Sequence, residues 1–159
     1  MPALSEQKQA SLEKWLALTL ATYPSQTSRF LQSDKDRFRN PMGHMLREGL
    51  AILLDEITGD MDSDRLGVAL DSIVRLRAVQ DFTPSEAVGF VYLLRDVLQE
   101  DRAAGTPPDL ERRIDRTALQ AFDLFMKCRE EIYQIKAREA RRQLYVLERM
   151  RERVQGEEI

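Results

Sequence analysis

One cysteine, one histidine and one tryptophan in 159 residues leave few parts for chemistry. Cys128 has no second cysteine with which to form an internal disulfide, and a lone cysteine on an apolar face reads as a small core residue in a reducing compartment. His44 has no second histidine and no cysteine pair for a zinc site. Its neighbours Met42 and Met45 suggest haem ligation, but no convincing axial pair exists and no cofactor is expected. The sequence also lacks G-x-x-x-x-G-K-[ST], G-x-G-x-x-G and G-x-S-x-G, so phosphate-loop and serine-hydrolase readings lose their basic element. With one His and one Cys, no set of nucleophile, base and orienting group can be assembled, and the chain reads as a non-enzyme.

Long apolar runs are missing too. No window approaches 18 uncharged apolar residues, and the first fifteen residues mix Glu and Lys with the apolar ones, so neither a membrane span nor a signal peptide is expected and the protein is placed in the cytoplasm. An excess of one charge sign is likewise absent. Charged residues make up 32%, yet they cancel to −3, which disfavours a nucleic-acid footprint. Before Gly105 there are 12 basic and 16 acidic residues, after it 12 and 11; the mixed tail reads as salt-bridged helix surface.

What is present is helical periodicity. Leu12, Trp15, Leu16, Leu20 and Tyr23 share one face of a helix over 5–22, stopped by Pro24. Residues 25–40 have no long period and read as an irregular stretch with at most a short turn tacked on by Phe30, Leu31 and Phe38. Asn40-Pro41 starts a second helix that ends at Gly59. A third runs from Ser63 or Asp64 to near Asp81, with Leu66, Ala69, Leu70, Ile73, Val74 and Leu76 inward. Thr83-Pro84-Ser85-Glu86 is a capping box with proline at the first helical position, opening a fourth helix that fades through Asp101 to Gly105. Asp60, Asp62 and Asp64 alternate like calcium-loop ligands, but helix capping explains them better. Asp55 and Glu56 point in different directions and read as solvated.

After Thr106-Pro107-Pro108 no Gly or Pro occurs until Gly156, so a last helix would reach roughly 70 Å at about 1.5 Å per residue. Ile114, Ala118, Ala121, Phe125, Cys128, Ile132 and Ile135 alternate spacings of four and three, the seam of a coiled coil or bundle helix. Glu139 and Arg142 break that pattern before Ala140, Leu144, Leu147, Met150 and Val154 resume it, so the seam rotates or the helix bends near 136–139. The expected architecture is all-α, a bundle of about five helices, globin-like in type, with a projecting C-terminal helix. Residues 1–135 form the sensor or interaction domain, and 136–159 a helical extension for self-association or partner docking. A tail folded back on its own domain is the alternative. The expected pairing surface is Ile132, Ile135, Ala140, Leu144, Leu147, Met150 and Val154.

A second candidate site is cationic. Arg29, Arg37 and Arg39 interleave with Phe30 and Phe38 and could bind an anion, although Asp34 and Asp36 could pair with them. Arg75, Arg77, Gln80 and Asp81 crowd a helix end. A ligand pocket, if these residues make one, would draw on Arg29, Arg39, His44, Arg77 and Gln80.

Three segments carry a family resemblance: Arg29-Phe30-Leu31, Asp36-Arg37-Phe38-Arg39-Asn40-Pro41, and Arg77-Ala78-Val79-Gln80-Asp81-Phe82-Thr83-Pro84-Ser85-Glu86-Ala87. Over roughly Leu12 to Met150 the chain resembles the RsbRD-type N-terminal domain of RsbT co-antagonist proteins, bacterial regulators of stress signalling. The resemblance implies a dimeric sensory or interaction module whose last helix passes a conformational signal to an output such as a STAS domain. With Ile159 as the last residue there is no room for such an output, so the expectation is a stand-alone homodimeric regulator acting through an unidentified protein partner. The competing expectation is a small-ligand or cofactor carrier.

Overall fold

A computed structural model describes residues 2–33, 36–100 and 106–158. Seven helices are present among the described residues: α1 (Pro2–Leu20), α2 (Ser25–Ser33), α3 (Pro41–Thr58), α4 (Ser63–Val79), α5 (Pro84–Val88), α6 (Phe90–Glu100) and α7 (Leu110–Glu157). The all-α class and the long last helix stand as expected. Two boundaries do not.

The first difference is α2, a full helix where an irregular stretch was expected. It docks through a single buried side chain, Leu31, and one apolar contact leaves no period to read. Pro24, which cannot extend α1, still lends its carbonyl to the amide of Ser28 at 2.8 Å. The second is the break at Gly89, which divides the expected fourth helix into α5 and α6. There the Tyr92 amide bonds to the Gly89 carbonyl at 3.1 Å, a tightened turn, and a Cβ on Gly89 would stand 2.9 Å from the Ser85 carbonyl oxygen. The fading end at Asp101 to Gly105 lies outside the described residues.

The helix starts follow from capping. Asn40 accepts from the Gly43 amide at 2.9 Å and, being buried, also donates from Nδ2 to the Leu31 carbonyl at 2.9 Å, tying α2 to the head of α3. Asp62 Oδ1 accepts from the amides of Asp64 and Arg65 at 3.0 and 3.1 Å. The Thr83–Glu86 capping box is complete in both directions.

Glu56 is not solvated. It is buried, pairs with Arg65 and accepts from the Asp62 amide at 2.8 Å, holding the turn in which Met61 adopts φ 54°. Asp55, by contrast, is exposed beside Lys8 at 2.6 Å.

One core joins these helices. Trp15, Leu46, Leu50, Leu53, Ile57, Leu70, Ile73, Phe90, Leu94, Ile114 and Phe125 are all essentially sealed from solvent. The N-terminal half of α7 supplies Ile114, Ala118, Ala121, Phe125 and Cys128 to it, the face expected from their spacing. Beyond Ile132 every described α7 residue is exposed. The helix runs unbroken through 136–139, so the tail projects and does not fold back. No helix among the described residues is long and apolar enough to cross a membrane.

Candidate functional site

The five cationic and polar candidates do not converge on one pocket. Arg29 is exposed on α2. Arg39 is exposed, its Nε 3.8 Å from an Asp36 carboxylate oxygen; Asp34 lies outside the described residues. Phe38 is 92% exposed, so the arginine–aromatic interleaving builds no enclosure. With Leu31 as the segment's one inward apolar anchor, Arg29, Phe38 and Arg39 face solvent. His44 lines a cleft of about 600 Å³ between α1 and the head of α3, beside Glu13, Leu31, Asn40 and Arg47. Its Nε2 is 3.0 Å from Glu48 Oε1, although the approach is off the hydrogen-bonding angle.

Gln80 lies elsewhere, on a cleft of about 710 Å³ between the α1–α2 turn, the α4–α5 turn and helices α2, α5 and α6, lined by Thr22, Tyr23, Thr27, Phe82, Glu86 and Phe90 among others. Behind its wall is Arg77, fully buried. Three aromatic rings surround this guanidinium: Tyr23, Phe82 and Phe90, with centroids at 5.0, 4.8 and 5.0 Å. It donates to the Glu86 carbonyl at 3.0 Å and to Thr22 Oγ1 at 2.9 Å. Among the described residues no carboxylate pairs with it. Ring faces and two neutral acceptors replace a counter-ion, and burial lowers the Arg77 pKa, a trend opposed by the neighbouring phenol. Burial raises that of Tyr23, with Arg77 working against the rise.

The cleft's inner wall holds unspent polar capacity. Among the described residues Arg77 Nε, Tyr23 Oη and Gln80 Oε1 are buried without a well-formed hydrogen bond, although Arg77 and Tyr23 lie close enough to act on each other's titration. The cage could not be read from the sequence, because its rings come from positions 23, 82 and 90 and no local spacing links them. Phe82 is also held from α7, where Arg129 donates to its carbonyl at 2.9 Å while stacking over Phe125.

Cys128 is buried, and desolvation pushes its thiol pKa up, the opposite of an activated nucleophile. Among the described residues no three His, Cys, Asp or Glu side chains are grouped to hold a metal ion.

The other candidate surface is α7 itself. Ile132 is half-buried at the edge of the domain, while Ile135, Ala140, Leu144, Leu147, Met150 and Val154 are exposed along the projection. Exposed apolar residues also occur alongside the domain, at Leu119, Phe122 and Met126. These three lie outside the expected pairing surface because α7 has two apolar faces there and the four-and-three spacing marks only the one that faces the core.

A model described as the RsbT co-antagonist protein rsbRD N-terminal domain matches residues 9–140. The match stops ten residues short of the expected limit at Met150. No curated protein and no solved structure matches the chain.

Proposed function

The chain belongs to the family of rsbRD N-terminal domains of RsbT co-antagonist proteins, a signalling and regulatory family of the stressosome type; from that premise we propose that it works without catalysis, as a homodimer, through contacts between proteins. The observation that carries this reading is the projecting half of α7. Leu144, Leu147, Met150 and Val154 are each about 60% exposed on the part of α7 that no other described helix covers, and an apolar stripe of that length is stabilised by a second helix.

Residues 1–135 then serve as the sensing or interaction domain and 136–159 as the extension, in the cytoplasm, with a regulatory protein as the further partner. A signal in the domain acts by favouring one packing of the paired helices over another, which requires differential affinity for the two. Light scattering of the intact chain tests this. The expected result is a dimer that Leu144→Glu with Leu147→Glu dissociates; a wild-type monomer contradicts it.

A second reading, a small-ligand carrier, is supported by the cleft in front of Arg77 and its unpartnered polar atoms. A molecule that co-purifies with the protein and is lost on Gln80→Ala would favour it, and a featureless mass spectrum of the extracted protein would count against it.

A further inference from the structure

One row of α7 residues recurs at every seventh position: Leu119, Met126, Tyr133, Ala140, Leu147 and Val154. All six are exposed. An α-helix with apolar residues repeating every seven presents them as one stripe to a supercoiled partner helix, and this one runs about 50 Å at ~1.5 Å per residue. Ile132 and Ile135 lie off it, toward the core-facing side. The apparent phase break near 136–139 is therefore the end of the core face, not a rotation of the seam. The outer stripe continues through it uninterrupted.

The stripe begins beside the domain. Leu119 and Phe122 share an apolar cleft of about 510 Å³ with Pro84, Val88 and Tyr92, which continues the seam onto α5 and α6.

We propose that this outer face pairs with the same face of a second copy in the antiparallel sense, about a two-fold axis near Ala137. The proposal rests on the homodimer reading above and adds its face and direction. With the axis there, Leu119 meets the partner's Val154, Met126 meets the partner's Leu147, and the Tyr133 ring sits over the partner's Ala140, large against small. The flanking charges match as well. Asp123 comes to the partner's Arg151 and Lys127 to the partner's Glu148, and each pairing occurs twice by symmetry.

A parallel pair would do neither. Each layer would meet its own copy, ring against ring at 133 and methyl against methyl at 140. In the antiparallel pair the tail of each copy lies along the other's domain, with its last turns over the cleft between α7 and α5–α6.

Disulfide cross-linking of the full-length chain under mild oxidation, alongside light scattering, tests the proposal. A bridge requires Cα atoms within roughly 7 Å. Met126→Cys and Leu147→Cys, mixed, are expected to form a covalent dimer, while neither alone does so, because each residue is then about 30 Å from its own copy at ~1.5 Å per residue. Asp123→Arg and Arg151→Asp are each expected to weaken the dimer about tenfold, and the double variant to restore it, as complementary flanking charges require. Cross-linking of each single variant with itself would overturn the antiparallel sense while leaving the homodimer intact. A dimer that gives no cross-link and survives Leu119→Glu with Met126→Glu would overturn the face. A wild-type monomer at every concentration would end both this proposal and the reading on which it rests.

Discussion

The indole N–H of Trp15 donates to the backbone carbonyl of Phe90 at 2.7 Å, across 75 residues of sequence and inside the core. The two rings also stack, with centroids 6.4 Å apart and planes at 21°. This carbonyl lies in the first residue of α6, just after the tightened turn at Gly89, so α1 fixes the place where α5 gives way to α6. Trp15→Phe keeps a ring but removes this bond, and the expected net cost is about 0.5–1.5 kcal/mol. Urea unfolding followed by circular dichroism checks it. An unchanged midpoint would mean that the bond contributes nothing net.

Gly89→Ala probes the same junction from the other side. A Cβ placed 2.9 Å from the Ser85 carbonyl oxygen forces backbone against backbone, so the variant is expected to be destabilised although alanine is the better helix former. Ser85→Ala, exposed and two residues from the cap, should be close to neutral by the same unfolding measurement.

Arg77 sits in an aromatic cage, and among the described residues no carboxylate pairs with it. Lysine at this position keeps the charge but loses the planar fork that reaches both the Glu86 carbonyl and Thr22 Oγ1, so Arg77→Lys is expected to cost about 3–5 kcal/mol, the penalty of an uncompensated buried charge. Arg77→Met removes the charge with the bonds and should be the milder change. The order of the two variants in thermal melts is the test. If methionine is worse, the guanidinium is net stabilising beyond its packing.

Tyr23 contributes a pH dependence. Its phenol is raised above the usual value of 10.0 by burial, so the folded state holds this proton where the unfolded chain would release it. The associated stability is whole below pH 10 and falls as pH climbs from there toward the raised value. Tyr23→Phe removes this component, so the unfolding free energy of the wild type minus that of the variant, measured from pH 8 to pH 11, should fall with rising pH. A constant difference would contradict the assignment.

Most helix boundaries could be read because they rest on local chemistry. Asn40, Asp62 and the Thr83–Glu86 box each cap a helix with atoms a few residues away, and the core stripes repeat at the helical period. α2 was not readable, since Leu31 is its one buried residue, nor was the Gly89 break, since the contact that marks it, Trp15 on the Phe90 carbonyl, comes from another helix. Glu56 looked solvated for the same reason: its burial depends on the turn to α4 and on Arg65. The cationic pocket dissolved because Arg29 and Arg39 adjoin His44 in sequence while Arg77 and Gln80 belong to a different cleft, and only the fold decides which neighbours count. On α7 two apolar faces overlap from 119 to 135, and one period read along the chain cannot separate them.

Sedimentation equilibrium of the intact chain tests the central claim, that α7 joins two copies, most directly. A mass of twice the 18.4 kDa chain, falling to one chain on Leu144→Glu with Leu147→Glu, is the predicted result. A mass of one chain across the accessible concentrations would contradict it.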